Sequence, residues 1–351
     1  MFYKPVIRPL LFRLQPERVH HLVAALLKTG FAVPGVAPMV RAMTAVKHPA
    51  LRRNLFGLEF KNPVGVAAGF DKEARLYREL DMLGFGFVEV GTITPKGQPG
   101  NPQPRLFRLP QDKGLINRMG FNNRGAEAAI ERLSNRKPGM IVGGNLGKNT
   151  LTPNETAVED YVTLFEKLFD SVDYFVINVS CPNISNLQEL QDSEALLEIA
   201  SRLQDLNNAK PRRKPILIKV SPDLNFGQLD DVIDIVIKTK IDGVIAVNTT
   251  ITRDNLKTSE NTVKAIGRGG LSGKPVAARA LEVVRYLKEQ SKNAFPVIGV
   301  GGIFTPEDAL KMLDAGADLI QVYTGFIYEG PFIAKRINKA ILKRSIQGKG
   351  V

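Results

Sequence analysis

A (β/α)8 barrel with an N-terminal amphipathic helical arm is the α/β fold class this sequence predicts, on three observations. From residue 63 onward, eight short apolar runs alternate with amphipathic helical stretches, which calls for a parallel sheet covered by helices. The 351 residues suffice for two average domains or one large barrel. Polar residues that a barrel core excludes gather at the ends of the apolar runs. The chain divides into an arm over residues 1–53 and a barrel over residues 54–351.

The arm comes first. Val6, Ile7, Leu10, Leu11 and Leu14 line one side of a short helix, with Lys4, Arg8 and Arg13 elsewhere. A second helix starts near Pro16 and stops at Gly30, with Val19, Leu22, Val23, Leu26 and Leu27 as its stripe. The longest apolar run here is six residues, far below the roughly 20 that span a bilayer. No small-residue cleavage site follows a suitable apolar core, so no secretory signal is expected. Pro34, Pro38 and Pro49 mark a linker to the barrel.

Charge sets the partner class. The net charge is +13, and residues 1–53 hold nine Lys and Arg against one acid, Glu17. Residues 333–349 add six more basic side chains. No basic run interleaved with aromatics and no finger or helix-turn-helix spacing is present, which argues against nucleic acid. A basic, apolar arm suits an anionic lipid surface instead, with packing on its own barrel as the alternative. One cysteine, Cys181, excludes a disulfide framework and a Cys-based zinc site, and no metal is expected. The three histidines, His20, His21 and His48, all lie in the arm.

The predicted strands are Val64–Ala67, Phe87–Val90, Met140–Gly143, Tyr174–Ile177, Ile216–Val220, Gly243–Val247, Val297–Val300 and Leu319–Val322. Helices are expected over Glu155–Phe169, Leu229–Lys238, Val276–Lys288 and Pro306–Ala315, among others. Thr92–Arg118 breaks the alternation as a polar, Pro-rich inserted hairpin.

In such a barrel the chemistry sits on the loops that follow the strands. Those positions hold Gly69, Asp71 and Lys72, then Thr92, Asn145, Asn178, Asn248 and Thr249, with Lys219 inside the fifth strand. Each alone reads as a turn or cap residue. Gly301, Gly302 and Gly325 suit a phosphate cradle of backbone N–H groups, with Gly269–Gly273 as a further wall. Lys219 needs an anionic partner: either the electron-rich edge of a reduced flavin or an unseen carboxylate. In Asn178-Val179-Ser180-Cys181-Pro182-Asn183 two amides able to grip a polar ring flank the single thiol. A strand end with turn-forming Asn is the plainer reading.

Asn62–Lys72 (NPVGVAAGFDK), Gly91–Pro95 (GTITP), Ile116–Asn123 (INRMGFNN) and Asn178–Asn183 (NVSCPN) together resemble the dihydroorotate dehydrogenase family. So do Asn248–Thr250, Gly269–Gly273 and Gly299–Gly302, and the resemblance spans nearly the whole chain. The basic arm and the 97–109 stretch resemble the membrane-associated, quinone-reducing class 2.

The resemblance implies an FMN enzyme that oxidises dihydroorotate to orotate in pyrimidine synthesis and passes electrons to a membrane quinone. It assigns Ala68, Gly69, Phe70, Asp71, Lys72, Thr92, Asn145, Asn178, Lys219, Val247, Gly273, Gly302, Tyr323 and Thr324 to the cofactor. Substrate would be held by Lys72, Asn117, Arg118, Met119, Gly120, Phe121, Asn178, Asn183, Asn248 and Thr249. His20 and Arg108 would line a quinone tunnel, and Cys181 would be the catalytic base. The implied location is peripheral, on the cytoplasmic face of a bacterial inner membrane. Two positions depart from class 2, which carries Ser at Cys181 and Thr at Ile184. A class 1-like enzyme using a soluble acceptor such as fumarate therefore stays open at this point.

Overall fold

In the structure, a computed structural model, residues 2–136, 139–180 and 193–348 are described. A π-helical turn over Tyr3–Ile7 leads into α1 (Arg8–Phe12), α2 (Pro16–Ala32) and α3 (Val36–Thr44). The expected linker is thus a third helix. Pro38 sits in its first turn, where a proline costs no intrahelical hydrogen bond, and Gly35 starts it at φ +86°. The chain bends by 111° between α2 and α3. No single helix among the described residues is long and apolar enough to cross a membrane.

A hairpin of β1 (Arg53–Leu55) and β2 (Leu58–Phe60) carries the chain under the barrel. Then follow β3 (Val64–Asp71), α4 (Tyr77–Met82), β4 (Phe87–Ile93), β5 (Lys96–Gln98), β6 (Leu106–Leu109), β7 (Gly114–Asn117), β8 (Asn123–Gly125) and α5 (Ala126–Leu133). Next come β9 (Ile141–Leu146), α6 (Ala157–Leu168), β10 (Tyr174–Asn178), α7 (Ser193–Asn208), β11 (Ile216–Val220), α8 (Phe226–Thr239) and β12 (Gly243–Ala246). The chain ends with α9 (Glu260–Ile266), β13 (Gly270–Gly273), α10 (Ala277–Gln290), β14 (Val297–Val300), α11 (Pro306–Asp314), β15 (Leu319–Val322), α12 (Thr324–Glu329) and α13 (Ile333–Ile346).

All eight predicted barrel strands form. They close in the order β3-β4-β9-β10-β11-β12-β14-β15, every pair parallel. Their continuous apolar sequence reflects burial on both faces. One set of side chains, including Val66, Val88, Phe175, Ile218 and Val244, packs outward beneath the helices. The alternate set, Phe87, Tyr174, Leu217, Ile245 and Ile298, fills the barrel together with Phe60 from the hairpin. Phe60 meets Phe87 edge-on with ring centroids 5.2 Å apart. A Cβ at Gly143 would lie 2.1 Å from the Tyr174 ring, so that strand position admits glycine alone.

The inserted hairpin is β6–β7, and β13 joins β7 as a third antiparallel strand. The 269–273 stretch, expected as a loop wall, is therefore mostly strand. The arm packs against this insertion and α4. Glu17 and Val19 of α2 are buried, whereas Leu22 and Leu26 are 44% and 59% exposed. The apolar stripe read from the sequence is split, with one edge on the barrel and the other facing outward.

Candidate active site

The C-terminal rim of the barrel surrounds a cleft lined by residues from the strand ends and the loops that follow them. Lys72, Asn117, Asn178, Lys219, Asn248 and Thr249 all line it. They come from four barrel strands or their loops and from β7, so only the closed barrel brings them together.

A continuous hydrogen-bond network connects these groups. Asn248 Nδ2 donates to Ser180 Oγ at 2.9 Å and to Asn178 Oδ1 at 3.3 Å. Asn178 Nδ2 donates to Thr92 Oγ1 and Asn145 Oδ1 at 2.9 and 3.0 Å. Asn145 Nδ2 donates in turn to Glu89 Oε1 at 2.7 Å. Glu89, wholly buried in β4, also accepts from Gln321 at 2.6 Å and pairs with Lys219 at 3.3 Å. The carboxylate reading of Lys219 therefore holds, and the residue also lines the cleft. Burying two charges is costly unless they are paired and the remaining lone pairs are satisfied. Asn145 and Gln321 meet that condition here.

Glycines shape the far end of the cleft. A Cβ at Gly325 would lie 1.9 Å from the Ile303 carbonyl oxygen, and one at Gly302 2.3 Å from Ala277. The segments after β14 and β15 meet without side chains between them and leave main chain to face the cavity. Ser272 and Thr324 share a hydroxyl hydrogen bond of 2.8 Å beside them. A main-chain pocket at one end and a lysine with amides at the other fits a molecule carrying a phosphate and a polar ring.

Most residues named from the sequence line this cleft: Ala68, Gly69, Val247, Gly273, Gly302, Tyr323 and Thr324, with Met119, Gly120 and Phe121 on the substrate side. Four are turned elsewhere. Asn145 lies one layer behind, within the network. The Asp71 carboxylate accepts from the Arg75 and Leu76 N–H groups, both at 2.7 Å, and shapes the turn before α4. Burial raises its pKa to about 6 despite those bonds. Phe70 points at the arm, and Arg118 donates to the Ile266 and Pro104 carbonyls over the Phe107 ring. Cys181 and Asn183 lie outside the described residues. Glu89 and Gln321 were not anticipated, and Ser272 only as part of the Gly269–Gly273 wall. The available signal for the first two was a single polar residue inside a strand otherwise apolar.

Under the arm, the His20 ring meets Phe70 edge-on at 5.4 Å, and Phe70 meets Tyr323 at 5.7 Å. Arg108 donates to the Leu14 carbonyl at 2.6 Å and covers the Phe12 ring, which ties β6 to the arm. Burial, aided by Lys72 and His21 and opposed by Glu17, lowers the His20 pKa from 6.5 to about 4. The docked arm thus keeps His20 neutral, while the released arm protonates it near pH 6.5. Protons bind the released form more tightly, so docking is expected to weaken as pH falls from about 6.5 to about 4. Limited proteolysis of the arm across that window checks this, and His20→Gln should flatten the slope.

The dihydroorotate dehydrogenase family model matches residues 50–344. The chain belongs to the dihydroorotate dehydrogenase family. It is 56% identical to a dihydroorotate dehydrogenase (quinone) of Christiangramia forsetii, over 98% of this chain and 100% of the relative. It is 45% identical to the protein of the same description from Thermobifida fusca, over 97% and 92% of the two chains. Ligand-free dihydroorotate dehydrogenase from Eimeria tenella superposes with a TM-score of 0.85 at 35% identity, over 95% of this chain and 96% of that one. The Eimeria tenella enzyme in complex with ferulenol gives 0.84 at the same identity, over 95% and 92%. Membership of this family implies a flavin cofactor.

Proposed function

We propose that the cleft binds FMN: the main chain around Gly302 and Gly325 would hold its phosphate, and Lys219 with the neighbouring amides would hold its ring. The chain oxidises dihydroorotate to orotate in pyrimidine biosynthesis, with a quinone as acceptor. The observation that carries the site assignment is the convergence of Lys72, Asn117, Asn178, Asn248 and Lys219 on one cleft. The soluble-acceptor alternative, fumarate, is disfavoured by relatives described as quinone enzymes.

Flavin, when bound, supplies the two-electron acceptor for substrate and the donor to quinone. The protein supplies the rest. Lys72 and the amides of Asn117, Asn178 and Asn248 hold the ring edge and carboxylate of dihydroorotate. The Asn248–Ser180–Asn178 hydrogen bonds fix those amides before substrate arrives, so little reorganisation accompanies reaction. Lys219 places a fixed positive charge at the floor of the cleft. Cys181, next in sequence to Ser180, takes the proton that one ring carbon loses as its neighbour is oxidised.

Quinone approaches along the seam between arm and barrel, where His20 faces Phe70 and Phe70 faces the cleft residue Tyr323. The arm rests on anionic lipid at the cytoplasmic face. Supporting this, Leu10, Leu14, Leu22, Leu26, Val33, Met39 and Met43 are exposed on a segment rich in Lys and Arg. Substituting both Leu22 and Leu26 with Glu is expected to abolish sedimentation with phosphatidylglycerol vesicles. Flavin reduction by dihydroorotate should be unchanged. Unaltered sedimentation would remove the lipid role from this face.

The site assignment is tested by anaerobic titration of the purified yellow protein with dihydroorotate. Stoichiometric bleaching, release of orotate, and a cofactor mass equal to FMN are expected. A colourless protein, or a flavin that dihydroorotate does not bleach, would overturn it.

A further inference from the structure

Glu17 is the only acid of the arm, and the fold buries it. Its carboxylate accepts from Arg105 Nε at 3.1 and 3.2 Å and from Arg105 Nη2 at 2.7 Å. Both side chains are less than a tenth exposed. The other end of the same guanidinium does a second job: Nη1 donates to the Pro99 and Asn101 carbonyls at 2.7 and 2.9 Å.

Asn101 is itself bonded to the substrate loop. Its N–H donates to the Met119 carbonyl at 3.0 Å, and its side-chain amide donates to the Arg118 carbonyl at 3.0 Å. Gly120, in the left-handed region at φ +72°, lies so close that a Cβ there would sit 2.8 Å from the Asn101 amide. Gln98 donates to the Gly120 carbonyl at 3.1 Å from the other side. The Arg118 N–H closes the circuit on the Arg105 carbonyl at 2.9 Å. Met119, Gly120 and Phe121 line the cleft. Burial opposes the Glu17 carboxylate, but the Arg105 bonds and charge, with Lys72 and His21 nearby, outweigh it and hold its pKa below the usual range.

We propose that the Glu17–Arg105 pair couples arm docking on the acceptor side to the Arg118–Phe121 loop on the substrate side. Glu17 is then a positioning residue for dihydroorotate, although it belongs to the arm. With Glu17 in place the guanidinium is fixed at both ends, and the 99–101 turn is held against the loop. With the arm released, Arg105 is left with a buried, unpaired charge and turns toward water, which frees the turn. Coupling of binding events is reciprocal. Ligand in the substrate pocket must therefore tighten the arm by the factor by which the docked arm tightens the ligand.

The proposal rests on the substrate assignment above, and two readouts separate their failures. Full-chain holoprotein carrying Glu17→Gln is compared with wild type and with Glu17→Asp. Amide hydrogen exchange is expected to rise in Glu17→Gln at residues 99–101 and 118–121 as well as in α2. Orotate affinity, read from the flavin spectrum, should weaken by about fivefold or more, and Glu17→Asp should restore part of both. Orotate added to wild type should slow exchange in α2 by a similar factor. Exchange changes confined to α2, with orotate affinity unaltered, would overturn the coupling and leave Glu17 as an arm anchor alone. A wild-type spectrum that does not respond to orotate would overturn the substrate assignment instead, and the exchange pattern of Glu17→Gln would still decide the coupling.

Discussion

Lys219→Met is expected to cost about 3–5 kcal/mol of stability, because it leaves the Glu89 carboxylate buried without a counter-charge. The rate of flavin reduction by dihydroorotate should also fall, by about 10²–10³-fold, the usual cost of losing one fixed electrostatic group at a reacting centre. Two effects of one substitution need separating. Combining Lys219→Met with Glu89→Gln removes both charges and should recover much of the stability, since neutral replacement of a buried pair is often nearly free. Turnover should stay low in the double variant. Urea unfolding and stopped-flow reduction on the same samples read the two quantities. Recovery of the reduction rate together with stability would mean that Lys219 is structural only.

Cys181→Ala should slow flavin reduction by about 10²–10⁴-fold, the range expected for loss of a general base. The pH profile carries more information. A thiol has a reference pKa of about 8.5, and only its thiolate accepts a proton. Below that pH the wild-type rate is expected to rise about tenfold per unit as thiolate accumulates, then to level off. In Cys181→Ser the alcohol does not ionise in this range, so the levelling near pH 8.5 should vanish. An unchanged profile would assign the break to another group.

The barrel was legible because its strands are buried on both faces. Each therefore appears as a continuous apolar run that needs no partner to be recognised. The arm was legible for its two amphipathic helices and misread at α3, where Pro38 in a first turn resembles a linker proline. Side-chain direction was harder. A motif marks a stretch of chain, but whether Asp71 or Arg118 faces the cleft depends on which neighbours offer a better partner. For Asp71 these are two N–H groups of the next turn, and for Arg118 two carbonyls of distant loops. Glu89 and Gln321 went unremarked for a related reason. A lone polar residue in a strand has meaning only when Lys219, 130 positions from Glu89, is brought beside it.

In the proposed function, quinone reaches the flavin in the barrel's cleft along the seam that the docked arm forms. Dihydroorotate oxidation by the full chain and by a chain beginning at Asn54, with a soluble quinone or fumarate as sole acceptor, tests it most directly. Quinone turnover should collapse on truncation while dihydroorotate still bleaches the flavin. Efficient fumarate turnover, indifferent to the arm, would contradict the account and place the enzyme with those using soluble acceptors.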